Sequence, residues 1–211
     1  QEPGVIVDVV EAGRALPRDV HVVLLPGSKS TLADLEDLRT QGWDVDILAH
    51  YRQGGTVVGL CGGYQMLGNT VADPNGFEGP AGIVQGLGIL DIETVIGGNK
   101  ALVEVMGSDN INGSIVRGYE MHMGETTGKD TERPWITLEG GRPEGARSSD
   151  GQVMGTYLHG LFSEDAFRRA FLKKCSQKHS KSLAYETQVE ATLDELSEHL
   201  ERHIDIDSLL N

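Results

Sequence analysis

Two apolar runs rich in β-branched residues, HVVLLPGS and GTVVGLC, are separated by a segment with helical spacing, and this alternation limits the fold more than any other feature. Continuously apolar strands have no side suited to water, so strand, helix, strand in this form requires a parallel sheet with helices on both faces. An earlier run, VIVDVVEAG, reads as a further strand buried in the same way. Between the two runs, STLADLEDLRTQGWDVDILAHYRQGG sets Leu32, Leu35 and Leu38 at helical spacing behind Ser30 or Thr31 as the cap.

From about Asp73 to Gly151 the pattern changes. Gly-rich turns separate the shorter runs ILDIETVI, ALVEVMG and VRGYEMHMGETT, which predicts an antiparallel meander inserted into the α/β frame. QVMGTYLHGLF restores a strand and a turn, SEDAFRRAFLKKCSQK predicts a helix opened by Ser163, and YETQVEATLDELSEHLERHIDIDSLL has amphipathic helical periodicity. The division expected is an α/β domain over residues 1–175 and a helical tail over 176–211. A net charge of −14 speaks against a nucleic-acid or anionic-membrane surface, since those partners need clustered cations. Two distant cysteines and no signal-like or long apolar segment predict a cytoplasmic protein without a disulfide.

The stretch VVGLCGGYQMLG surrounds one of those cysteines with glycine. A strand ending in G-x-C-x-G and turning at once into a helix is the cysteine form of the nucleophile elbow, where a strained turn exposes the side chain. Gly59 and Gly63 allow close backbone approach, and a helix beginning near Gly62 offers free N–H groups and a positive dipole end that favour thiolate. Cys61 is therefore the candidate nucleophile, although a free cysteine after a buried strand is otherwise a small core residue. Cys175, in KKCSQKH, lacks any such setting and reads as structural.

A thiolate nucleophile needs a proton carrier, and the chain has seven histidines. His159, in GTYLHGLF, ends a strand at a Gly-containing turn, where α/β sheets present chemistry. His122, in GYEMHMG, could face either side of its strand, so His159 is the preferred general base and acid. Donors for an oxyanion are the N–H of Gly62, just after the nucleophile, and one from Gly27 or Ser28 in LLPGSKST. That turn lacks the G-x-x-x-x-G-K-[ST] of a phosphate-binding loop, and no Cys/His pair has zinc-ligand spacing, so neither nucleotide nor metal is expected here.

LPGSKST, GLCGGYQMLG, GLGILDIET, GYEMHMGET and GTYLHGLF, in this order, resemble the glutamine amidotransferase domains of the cobyric acid synthase family of cobalamin biosynthesis. GLCGGYQ and GYE-x-H-x-G are shared with cobyrinate a,c-diamide synthases and lipid II amidating glutaminases. The resemblance implies a class I glutamine amidotransferase-like, flavodoxin-like fold. Cys61 would form a thioester with the glutamine side chain, His159 would carry protons, and Gly27 and Gly62 would bind the oxyanion. Gln65 and Lys100 would contact substrate. Class I glutaminases often orient the histidine with a Glu two residues on, but here that position is Leu161, which leaves either a Cys-His dyad or an orienter from elsewhere, with Glu120 the candidate. The family's ATP- and Mg-dependent synthetase domain, which holds the corrinoid, and the first strand of its glutaminase sheet both precede a point equivalent to QEPGV. The chain is thus expected to be a C-terminal part, weakly active alone. The glutaminase of a related amidotransferase, of the cobyrinate a,c-diamide synthase or lipid II amidating type, a cysteine hydrolase of another kind and a non-catalytic docking module are the alternatives.

Overall fold

The structure is a computed structural model that describes residues 2–98, 101–175 and 184–203. Its elements are β1 (Val22–Leu25), α1 (Thr31–Thr40), α2 (Trp43–Arg52), β2 (Thr56–Leu60), α3 (Gly62–Met66), β3 (Thr70–Asp73), β4 (Gly82–Gln85), β5 (Glu93–Val95), β6 (Ala101–Asp109), β7 (Ile115–His122) and β8 (Glu125–Thr127). They continue with β9 (Ile136–Leu138), β10 (Arg142–Glu144), β11 (Ala146–Arg147), β12 (Val153–Thr156), β13 (Leu158–His159), α4 (Asp165–Cys175) and α5 (Tyr185–His203).

The first sheet has the order β1-β2-β12-β11, with β2 parallel to both β1 and β12. Alternate side chains of its central strands enter two different cores, as continuous apolar runs demand. Val57 and Val153 join Leu25, Leu35, Leu38 and Ile47 under α1 and α2. Val58 and Met154 join Trp135, Leu161, Phe167 and Phe171 on the opposite face, beneath α4.

The segment between β1 and β2 forms two helices, because Gly42 takes φ 74° and ends the first run. Ser30 occupies the N-cap of α1 without capping it. Its hydroxyl donates to the Glu78 carbonyl, and the Glu78 carboxylate instead accepts the N–H of Thr31 at 2.7 Å. The N–H groups of Phe77 and Glu78 in turn donate to Asp73, so a loop of the inserted region supplies the cap. Ser163 likewise stands in a 3-10 turn, Leu161–Ser163, before α4 begins at Asp165.

VIVDVVEAG, expected to be a strand, makes no ladder. Ile6, Val7 and Val9 are 94%, 83% and 77% exposed. A β-branched run acquires strand structure only against a neighbour's backbone, and none among the described residues pairs with it.

The inserted region forms two sheets rather than one meander. One has the order β4-β3-β5-β8, with β3 and β5 parallel; the other, β10-β9-β6-β7-β13, is antiparallel throughout. Two segments pass between sheets. The chain from Val153 to His159 leaves the first sheet at Tyr157, and that from Arg142 to Arg147 enters it at Gly145, where φ is 68°. This exchange moves the end of a core strand onto β7, with His159 opposite Tyr119 and Leu158 opposite Glu120.

Candidate active site

β2 delivers Cys61 to the start of α3 with φ 52° and ψ −113°. Among the described residues it is the sole non-glycine with positive φ. Such a conformation costs about 1–3 kcal/mol and persists only where the surroundings enforce it. Here the Cys61 N–H donates to the Thr156 carbonyl at 2.9 Å, fixing the turn to the end of β12.

The glycines follow from close approach. A Cβ on Gly59 would lie 2.6 Å from the Gly63 carbonyl oxygen, and one on Gly63 would lie 2.2 Å from that of Leu25. One on Gly62 would meet the Ser28 nitrogen at 2.8 Å. The turn after β1 thus presses on the first residue of α3, whose leading N–H groups have no intrahelical acceptor. Gly27 and Gly62, the donor positions read from the sequence, both lie beside Cys61.

His159 reaches the same place from the other sheet. A Cβ on Gly27 would stand 3.5 Å from Cys61 Cβ and 3.7 Å from His159 Cε1, so the turn, the thiol and the imidazole surround one small volume. The His159 Nε2 is buried without a hydrogen-bond partner among the described residues. The Cys61 thiol lies 3.7 Å from the Met121 carbonyl. The Gly27–Ser30 loop is folded against the elbow, and Ser28 Oγ donates to Asp34.

Other expectations change. Gln65 is 2% exposed and fully engaged: its Oε1 accepts from Thr31 Oγ1, and its Nε2 donates to the Met123 carbonyl and Tyr157 hydroxyl. It ties the elbow helix to the inserted region. Glu120 does not orient His159. Side chains alternate along a strand, so Glu120 points to the face of β7 opposite Tyr119 and His159, and its carboxylate accepts a bidentate pair from Arg142. Lys100 lies outside the described residues. Cys175 packs beside the second core, and burial pushes its thiol up.

Three residues escaped the sequence reading. Tyr157, at the crossing between sheets, donates or accepts in a buried chain with Gln65, Thr126 and Thr94, and burial pushes its hydroxyl up to about 12. Glu144, on β10, accepts from Thr156 Oγ1 at 2.5 Å and from the Tyr157 N–H at 2.7 Å. Burial raises its carboxyl to about 7, against the lowering effect of those two bonds. Tyr119 stacks on His159, with ring centroids 5.1 Å apart and planes inclined by 7°. The only signal for Tyr119 was its place in GYE, and the sequence RPEG gives no hint of burial at Glu144.

A strained cysteine between a parallel strand and a helix, faced by a histidine and two backbone turns, has the geometry of a nucleophile elbow on an α/β sheet. The chain belongs to the CobB/CobQ-like glutamine amidotransferase domain family, whose sequence model matches residues 1–167. It is 56% identical over 210 residues to a cobyric acid synthase of Ruegeria sp. (strain TM1040) and 53% identical to one of Cereibacter sphaeroides (strain ATCC 17023). These alignments cover 99% and 100% of the chain but 43% of each relative, so the chain spans less than half their length. Among solved structures, a glutamine amidotransferase superposes with a TM-score of 0.53 at 18% identity, covering 74% of this chain and 79% of that one. PurLQS from Thermotoga maritima gives 0.53 at 17%, covering 75% and 77%. At these identities the likeness is one of fold. No described helix is long and apolar enough to cross a membrane.

Proposed function

We propose that this domain hydrolyses glutamine through a Cys61 thioester and supplies the ammonia to an ATP-dependent synthetase portion of the same cytoplasmic protein, for amidation of corrinoid carboxylates. The observation that carries the reading is the elbow: a cysteine held at φ 52° with Gly27 and His159 beside it.

The Cys61 sulfur attacks the glutamine side-chain carbonyl carbon, and its proton passes to His159. The negative charge that develops on the carbonyl oxygen falls to the N–H groups at Gly27 or Ser28 and Gly62. Collapse breaks the C–N bond as His159 returns the proton to the leaving nitrogen, giving ammonia and a thioester. Water, deprotonated by His159, then releases glutamate and restores the thiol. Activating a carboxylate for amidation falls to ATP and Mg in the synthetase portion. The names of the relatives and the family motifs support the corrinoid assignment.

A glutamine-analogue electrophile is expected to alkylate Cys61 much faster than Cys175, read by mass spectrometry of peptides. In the full-length protein, Cys61→Ala should abolish glutamine-dependent amidation and spare amidation with added ammonia. Loss of both activities would make Cys61 structural.

A further inference from the structure

Among the described residues, no carboxylate holds the imidazole of His159 as one usually holds such a histidine. Position 161 is Leu161, 1% exposed and buried in the core with Phe167. Glu120 is on the wrong face and bound to Arg142. Glu144 is committed to Thr156 and Tyr157. What does touch the ring is an aromatic face.

We propose that Tyr119 is the positioning residue of the glutaminase reaction, holding the His159 ring in plane by stacking where related chemistry uses a hydrogen-bonded carboxylate. This rests on Cys61 and His159 being the reacting pair. Tyr119 and His159 are registered partners of β7 and β13, so their side chains leave the ladder on the same face. The approach is unusually close, because a Cβ on Gly118 would lie 2.0 Å from the His159 carbonyl oxygen. Gly118 thereby lets the tyrosine ring settle over the imidazole, at 5.1 Å and 7°. Meanwhile Cε1 of the imidazole stays against the Gly27 turn.

Two consequences favour catalysis. A ring pinned on one face samples fewer orientations relative to the thiol. When His159 takes the thiol proton, the imidazolium gains from the negative face of the tyrosine ring. Glu144 adds to the arrangement from behind, holding the backbone at Thr156 and Tyr157 from which β13 starts. Tyr119 is 39% exposed, so shortening it opens no core cavity.

The test uses the full-length protein carrying Tyr119→Leu or Tyr119→Phe, with Cys61→Ala as the control. Tyr119→Leu should lower kcat for glutamine hydrolysis on the order of 10-fold with little change in KM. Tyr119→Phe keeps the stack and should stay within about 2-fold of the parent. The carbon-bound imidazole protons of His159, followed by NMR, should be shifted upfield by the tyrosine ring in the parent and the Phe variant, and move downfield in the Leu variant. Urea midpoints should agree among all three. An undiminished kcat in Tyr119→Leu, an equal loss in Tyr119→Phe, or an unmoved His159 resonance would overturn the proposal. If Cys61→Ala retained full hydrolysis, the thioester reading itself would fall, an outcome separate from the NMR measurement of the stack.

Discussion

Residues 5–10, VIVDVV, and residues 56–60, TVVGL, have nearly the same β-branched character, yet the first lies in solvent and the second forms the centre of a sheet. Val57 and Val58 are 0% exposed, whereas Val7 is 83% exposed. Propensity therefore did not decide between them. TVVGL has β1 on one side and β12 on the other, with a separate core on each face. VIVDVV has no ladder partner among the described residues, and Asp8 within it makes an exposed ion pair with Arg14. The comparison teaches that strand identity belongs to pairs of segments, and that Cys61 directly follows a segment paired on both sides.

The largest effect expected from breaking this contrast is at Gly63. Ala there would place Cβ 2.2 Å from the Leu25 carbonyl oxygen, a backbone atom without room to move. Gly63→Ala should cost about 4 kcal/mol or more in urea denaturation, or prevent folding, and abolish Cys61 alkylation.

A second, smaller effect contrasts the buried carboxylate of Glu144 with the exposed one of Asp8. Burial raises Glu144 from 4.5 to about 7 in the folded state. For a raised carboxyl, the stabilisation is fully present below the unfolded value and is lost as pH rises through the folded one. Stability should fall by a few kcal/mol between about pH 4.5 and 7 from this group alone, and Glu144→Gln should remove that slope in denaturation curves taken across the interval. An unchanged slope would show that Glu144 does not titrate there.

The smallest effects sharpen the original pair. Val57→Ala should cost about 2 kcal/mol through lost burial and a residual cavity, while Val7→Ala should change stability by less than about 0.5 kcal/mol. Parallel urea titrations decide it, and equal losses at the two sites would mean that residues 5–10 are packed after all.

Much of this was legible beforehand. The strands β1 and β2 announced themselves through uninterrupted apolar runs, although only β2 is buried on both faces and β1 is an edge strand with Leu24 exposed; the elbow showed in glycines at 59, 62 and 63, since only glycine allows backbones so near. His159 was legible as a residue ending a strand at a glycine. The inserted region was less so. Its short strands share one pattern, and nothing local tells which will join β3 and which β6, because pairing across long sequence separations depends on partners. The same limit hid the cap of α1: Ser30 was in the right place, but Glu78 arrived from 47 residues away to take the Thr31 N–H.

By itself the sequence determined the parallel strands β1 and β2, the strained cysteine after β2 and the histidine at the end of β13, because each depends on backbone requirements that a few adjacent residues state in full. The tertiary structure alone decided what surrounds them. Gln65 became a buried tie, Glu120 turned away toward Arg142, and Tyr119 came to lie on His159. The physical reason is that a side chain's partner across a sheet is set by register and by the crossing at Tyr157. Both are fixed only when segments dozens of residues apart have packed.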